Sequence, residues 1–189
     1  MGIRFYYADT YRLRRFYRVS LNLKTYGENI MFSEKDELFM NEALTLAKEA
    51  AALGEVPVGA VIVHKGKIIG KGYNKREKDK NALAHAELIA INEACGTLGG
   101  WRLPECTLYV TLEPCPMCAG GIINSRIGRT VVALHDAKSG CLGSVINFNS
   151  YPFNHKTTAE YGLCENEART LMTDFFLSLR EKRNKAKDR

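Results

Sequence analysis

Four residues in two short stretches have the types and spacing to do chemistry together. Ala84-His85-Ala86-Glu87 offers an imidazole and a carboxylate two positions apart, and Glu113-Pro114-Cys115-Pro116-Met117-Cys118 offers two thiolates at C-x-x-C spacing behind a proline. His85, Cys115 and Cys118 are a ligand set suited to zinc, and three protein ligands leave the fourth tetrahedral position open to water, as in catalytic sites. Glu87 is not needed to hold the metal. A carboxylate beside a metal-bound water can take its proton and hand it to a substrate, so the set reads as hydrolysis. Two other readings compete. A redox C-x-x-C would leave His85 and Glu87 unexplained. A structural zinc site would need a fourth ligand, and any one of the scattered Cys95, Cys106, Cys141 and Cys164 could in principle close the tetrahedron.

The surrounding sequence predicts the elements that must carry these groups. Ser33 and Asp36 form a capping box ahead of a helix whose apolar face is Phe39, Ala43, Leu46, Ala47, Ala50 and Leu53, stopped by Gly54. Residues 56–63 and 68–73 read as a hairpin around Lys65-Gly66, with His64 an ordinary histidine near the turn. A polar loop, 74–83, leads to a helix over 84–95 that buries Leu88, Ile89 and Ile91 and carries His85 and Glu87 in its first turn. A helix N-terminus favours negative charge and presents free N–H groups. A strand over 107–112 ends at Pro114, and Cys115 and Cys118 then share one face of a new helix with Pro116 in its first turn. Two helix N-termini are thus expected to converge on one metal. A strand over 129–134 ends at His135-Asp136, and a glycine-containing loop and a weaker strand over 156–161 follow. The last helix, 165–183, is expected to bury Leu171, Phe175 and Leu179. The order α-β-β-α-β-α-β-β-α implies an α/β fold, a central sheet with helices on both faces.

At 189 residues the chain suits one domain with a substantial core. No apolar run approaches the length of a membrane span. The six cysteines show no disulfide framework, which fits a reducing, cytoplasmic location. The net charge of +6 is uneven: residues 1–30 and 180–189 each carry six Lys/Arg against two acids, so each end is +4 and the stretch between them −2. Basic ends around a catalytic core suggest a polyanionic substrate, nucleic acid first, although charged termini also simply solubilise a protein. Residues 1–30 are rich in arginine and aromatics and lack the apolar run of a secretory signal. They are expected to lie outside the fold, as an upstream-start artefact, a loose tail, a nucleic-acid arm or a transit peptide, and no function is assigned to them. The domain is expected over 31–183, with 184–189 a basic tail.

The H-x-E…P-C-x-x-C pattern is that of the zinc nucleobase deaminases. Over about 32–183 the chain further resembles the bacterial tRNA adenosine deaminase (TadA) family of the cytidine/deoxycytidylate deaminase superfamily. The resemblance rests on Glu55-Val56-Pro57-Val58-Gly59-Ala60, residues 107–114, Ser125-Arg126-Ile127-Gly128-Arg129, Asp136-Ala137-Lys138-Ser139-Gly140 and Asp174-Phe175-Phe176 with its trailing basic residues. It implies a three-layer α/β/α fold around a mixed five-stranded sheet, one Zn2+ per subunit, a homodimer, and conversion of the wobble adenosine to inosine in the anticodon loop of an arginine tRNA. Glu87 would be the proton carrier and Asn74 a base and ribose contact, against a plain turn-capping role. Asp136 and Lys138 would face the RNA, Asp136 accepting from a 2′-OH or merely capping its loop. Arg126, Arg180, Lys182 and Arg183 would approach RNA, and one of Phe175 and Phe176 would stack on a nucleotide. A deaminase of a free base or nucleoside shares the metal site and is the nearest rival. A non-catalytic RNA-binding subunit is a rival of another class, and the presence of Glu87 argues against it.

Overall fold

The computed structural model describes residues 32–187, so the expectations for residues 1–30 lie outside the described residues. Helix α1, Glu34–Ala52, opens as expected: the Ser33 hydroxyl accepts the Asp36 N–H at 3.2 Å, and the Asp36 carboxylate accepts the Ser33 N–H at 2.9 Å. Met40, Ala43, Leu44, Leu46, Ala47 and Ala50 form its buried face. Leu53, expected on that face, is 49% exposed, because the helix ends one residue earlier and Leu53 is its cap.

Strands β1, Gly59–His64, and β2, Lys67–Tyr73, pair as an antiparallel hairpin. Lys65 and Gly66 both take positive φ, the backbone of a tight two-residue hairpin turn. The first strand starts three residues later than its apolar run, since 56–58 turn into the sheet with the Val58 N–H on the Val56 carbonyl. His64 sits at the hairpin end beside Glu105, 3.4 Å away.

The sheet runs β2-β1-β3-β4-β5, adding β3 (Cys106–Leu112), β4 (Arg129–Leu134) and β5 (Thr158–Tyr161). β1 lies antiparallel to β3, whereas β3, β4 and β5 run parallel, so the sheet is mixed. Alternate side chains divide its faces. Val61, Val63, Tyr109, Val131 and Ala133 pack with α1 and the start of α5, Glu165–Lys187. Ala60, Ile62, Leu108, Val110 and Val132 pack against helices over 86–98 and 116–124. Each fully buried Val, Leu or Ile contributes about 1.5–3 kcal/mol. The result is the expected three-layer arrangement.

Three local differences have physical causes. The 74–83 loop contains a single helical turn, α2 (Arg76–Asp79), closed by Lys80 in the left-handed region. Helix α3, Ala86–Leu98, starts one residue after His85, which is its cap, and runs on to Gly99 at φ 67°. Its buried stripe is Ala86, Ala90 and Ala94, while Leu88, Ile89 and Ile91 are only half-buried. Gly70 and Gly72 of β2 explain this. A Cβ at either would overlap the carbonyl oxygens of Ala90 and Ala86, so helix and strand approach too closely for larger side chains between them. Leu88 instead reaches α4, Pro116–Asn124, at Gly121. On α5, Phe175 is buried, Leu171 and Leu179 are half-buried, and the helix continues four residues beyond 183.

Candidate active site

The site lies at the carboxyl ends of the parallel strands β3 and β4, where open α/β sheets characteristically hold ligands. The segment after β3 delivers Cys115 as the cap of α4, with Pro116 at its first position and Cys118 buried one turn on. His85 arrives from the other side as the cap of α3, with Glu87 in the first turn. His85 Nδ1 lies 3.7 Å from Cys115 Sγ and 3.5 Å from Cys118 Sγ. All three donor atoms fall within 4.8 Å of one another, the one such group among the described residues.

These residues fit zinc. Tetrahedral zinc with N and S donors at ~2.0 and ~2.3 Å places unlike donors ~3.6 Å apart. A hydrogen bond with Cys118, working against burial and aided by His85, pulls the Cys115 thiol down to about 4, and the same pair interaction pushes Cys118 up. Metal binding displaces the proton that this pair shares. No other cysteine completes the set, so the structural-site reading loses its fourth ligand.

Glu87 is 3% exposed, and burial pushes its carboxyl above the usual range. Its Oε2 is the one buried side-chain oxygen or nitrogen without a hydrogen-bond partner among the described residues. A buried polar atom left unpaired costs about 1–3 kcal/mol, so its retention here points to an exchangeable partner.

A cavity of about 460 Å³ opens over His85, Glu87 and Cys115, in the ~300–1,000 Å³ range of small-molecule sites. Asn74, Asp136, Ser139 and Phe175 contribute to its walls. Asn74 is buried, with Oδ1 accepting the Ala86 N–H at 3.0 Å and Nδ2 donating to the Val56 carbonyl at 3.1 Å, which leaves one N–H and one lone pair for other partners. Asp136 caps its own loop, accepting from the Lys138 N–H at 2.9 Å and the Ser139 hydroxyl at 2.6 Å. The loop-capping role weighed for Asp136 is thus present, and both residues line the cavity.

Beside the cavity, Lys138, Phe176, Arg180 and Arg183 line a second groove of about 540 Å³ that shares Leu179 with the first. The aromatic pair divides: Phe175 is buried against the cavity and Phe176 is 41% exposed in the basic groove. Arg126 is not brought here. It precedes β4, at the opposite end of the strands, with Nη1 on the Ile123 carbonyl at 2.7 Å and its guanidinium 5.7 Å from the Trp101 ring. Sequence reasoning missed the buried Glu55, whose Oε1 holds the Lys78 N–H at 2.8 Å in the cavity wall, and Arg76 on the rim. A carboxylate in the apolar run Glu55-Val56-Pro57-Val58 was the available signal for the first.

Comparison with known proteins agrees with this geometry. The model of the cytidine and deoxycytidylate deaminase zinc-binding region matches residues 33–134. The chain is 46% identical over 154 residues to the tRNA-specific adenosine deaminase of Bacillus subtilis (strain 168), covering 81% of this chain and 96% of that protein. A solved structure from work on A-to-I editing by tRNA:A34 deaminases at the wobble position of transfer RNA is 41% identical, with a TM-score of 0.69 over 71% of this chain and 98% of that one. The guanine deaminase of Nitrosomonas europaea, 24% identical at a TM-score of 0.61 over 74% of this chain and 83% of that one, shares the fold.

Proposed function

The chain belongs to the zinc-binding deaminases and, within them, to the tRNA-specific adenosine deaminases, and we propose on that premise that it converts the wobble adenosine of an arginine tRNA to inosine. The observation that carries the reading is the unpartnered Glu87 Oε2 beside the His85, Cys115 and Cys118 donors, on a cavity that adjoins a basic, aromatic groove.

His85, Cys115 and Cys118 would hold a zinc ion, which when bound would supply Lewis acidity that brings ionisation of a water into the neutral range. Glu87 Oε2 would take a proton from the attacking water and return it to N1 of the adenine, then serve the departing amine. The balance is one new C6–O bond, one broken C6–N bond, and ammonia as the second product. Burial shields Glu87 from bulk solvent. The free N–H of Asn74 and the remaining lone pairs of Asp136 position the base and its ribose. Lys138, Arg180 and Arg183 meet phosphates, and Phe176 offers a stacking face for a nucleotide beside the target.

The working unit we propose is a cytoplasmic homodimer. Exposed apolar side chains such as Leu83 and Val145, 59% and 55% exposed, support a subunit contact. Six free thiols support a reducing compartment. Among the described residues no helix is long and apolar enough to cross a membrane.

The test is inosine formation by zinc-loaded protein on an arginine anticodon stem-loop, with free adenosine, guanine and cytidine offered separately. Inosine in the stem-loop alone supports the reading. Turnover of a free base with the stem-loop untouched would replace it with a small-molecule deaminase.

A further inference from the structure

We infer that Glu113 is a positioning residue that couples the metal-bearing end of β3 to the loop forming the substrate-facing wall. The inference rests on the reading of the cavity as the nucleotide site. Glu113 follows β3 directly and precedes Cys115 by two residues. Its side chain is fully buried. Oε1 accepts the backbone N–H of Leu142 at 3.1 Å and of Ser144 at 3.0 Å, and Oε2 accepts the Asp136 N–H at 3.1 Å and the Ser144 hydroxyl. His135 Nδ1 lies 3.3 Å from Oε2.

One carboxylate therefore gathers three backbone amides and two side chains from the ten residues 135–144, which have almost no regular structure of their own. The loop is shaped around it. At Gly140 a Cβ would overlap the Glu113 carboxylate, so the backbone passes where only glycine fits. The same segment presents Asp136 and Ser139 to the cavity. The Cys141 N–H on the Pro114 carbonyl, 2.9 Å, ties the two strands' ends a second time.

A carboxylate chosen only for stability is an expensive way to close a loop, because a fully buried charge must be compensated by donors on both oxygens. Here the donors come from the wall that must face the ribose, and the acceptor comes from the segment that fixes the metal. Glu113 is one of the cavity-lining residues, but its side chain is fully buried and acts through the loop, setting the distance between the reacting centre and Asp136.

In Glu113→Gln one oxygen becomes an NH2 group, which confronts the Asp136 N–H or the Leu142 and Ser144 amides with a donor. Wild type and variant would be compared for zinc content, for kcat and KM on the stem-loop, and, in the Glu87→Gln background, for stem-loop Kd by fluorescence anisotropy. The expected result is one zinc per chain in both, KM and Kd raised tenfold or more, and kcat changed less than threefold. Should Glu113→Gln fold poorly, Gly140→Ala probes the same contact from the loop side and should give the same split. Unchanged KM and Kd in a folded variant, or zinc loss with proportional loss of kcat, would overturn the inference. If wild type turns over a free base and ignores the stem-loop, the tRNA reading fails separately, and KM for that base becomes the readout for Glu113.

Discussion

Asn74 Oδ1 accepts the backbone N–H of Ala86 at 3.0 Å, tying the end of the β1–β2 hairpin to the first amide of the helix that carries His85 and Glu87. A first-turn N–H has no partner within its own helix, and Asn74 supplies one from twelve residues upstream. Its Nδ2 fixes the Val56 carbonyl at the same time. Asn74→Ala leaves both groups unpaired and should cost about 1–3 kcal/mol in urea denaturation. It should also raise KM for the stem-loop, because the cap and the proposed substrate contact would be lost together. Unchanged stability would show that water replaces the amide.

Glu87→Gln keeps the shape of the side chain and removes its capacity to carry a proton. Zinc content should stay at one per chain, since His85, Cys115 and Cys118 are the donors. Turnover should fall by about 10²–10⁴, the span of general acid–base catalysis. Stem-loop Kd should be preserved. Activity near wild type would remove Glu87 from the mechanism.

Metal removal should reach the fold as well as the reaction. His85 and Cys115 cap two different helices and lie 30 positions apart in the chain, so zinc closes a long loop between α3 and α4. A metal at 100 times its Kd adds about 2.7 kcal/mol. Chelation should therefore lower Tm and abolish deamination, and added Zn2+ should restore both. Loss of activity with an unmoved Tm would mean that the helices hold their places without the metal.

Much of this was legible in the sequence, and the failures share one cause. The α1 stripe, the hairpin and the C-x-x-C helix start depend on spacing within a single segment, and spacing is visible in a sequence. The buried face of α3 was misread because Ala90 and Ala94 face inward only in response to Gly70 and Gly72, twenty residues away on another element. Glu55 and Glu113 are both 2% exposed, their carboxylates held by backbone donors from segments that a linear pattern does not place beside them. Phe175 and Phe176 are separated by the 100° step of a helix. Only the position of α5 against the sheet determines which ring meets the cavity.

Acid should unfold the protein through a second carboxylate cluster, away from the cavity. Asp36 on α1 accepts from Tyr109 Oη at 2.7 Å and from Arg129 Nη1 at 2.5 Å, and Arg129 also pairs with Glu160 at 2.6 Å. Burial alone would raise the Asp36 carboxyl, but the hydrogen bonds from Arg129, Tyr109 and Ser33 outweigh it and hold it well below the usual carboxylate range. A depressed folded-state pKa contributes stability that is complete above the unfolded value near ~3.9 and is lost as pH falls towards the folded value. Asp36→Asn should cost about 3 kcal/mol at pH 7, leaving Arg129 half compensated. The gap between wild type and variant in urea denaturation should narrow as pH drops below about 4. A gap that stays constant from pH 7 to pH 3 would assign the loss to packing.

The basic groove makes the final prediction, because phosphate contacts have a signature that packing contacts lack. Each phosphate neutralised releases condensed counterions, so log K falls with log salt by about 0.7 per contact on single strands. Arg180 and Arg183 line the groove with Lys138 and Phe176. Arg180→Ala and Arg183→Ala should each weaken stem-loop binding at low salt and reduce that slope by nearly one contact, leaving zinc content and Tm unchanged. Lys65 sits in the β1–β2 turn at the other end of the sheet, and Lys65→Ala should alter neither affinity nor slope. Phe176→Ala should differ in kind, weakening binding at every salt concentration with the slope intact, since stacking moves no counterions. Equal slopes for all four variants and wild type would separate the groove from the RNA backbone.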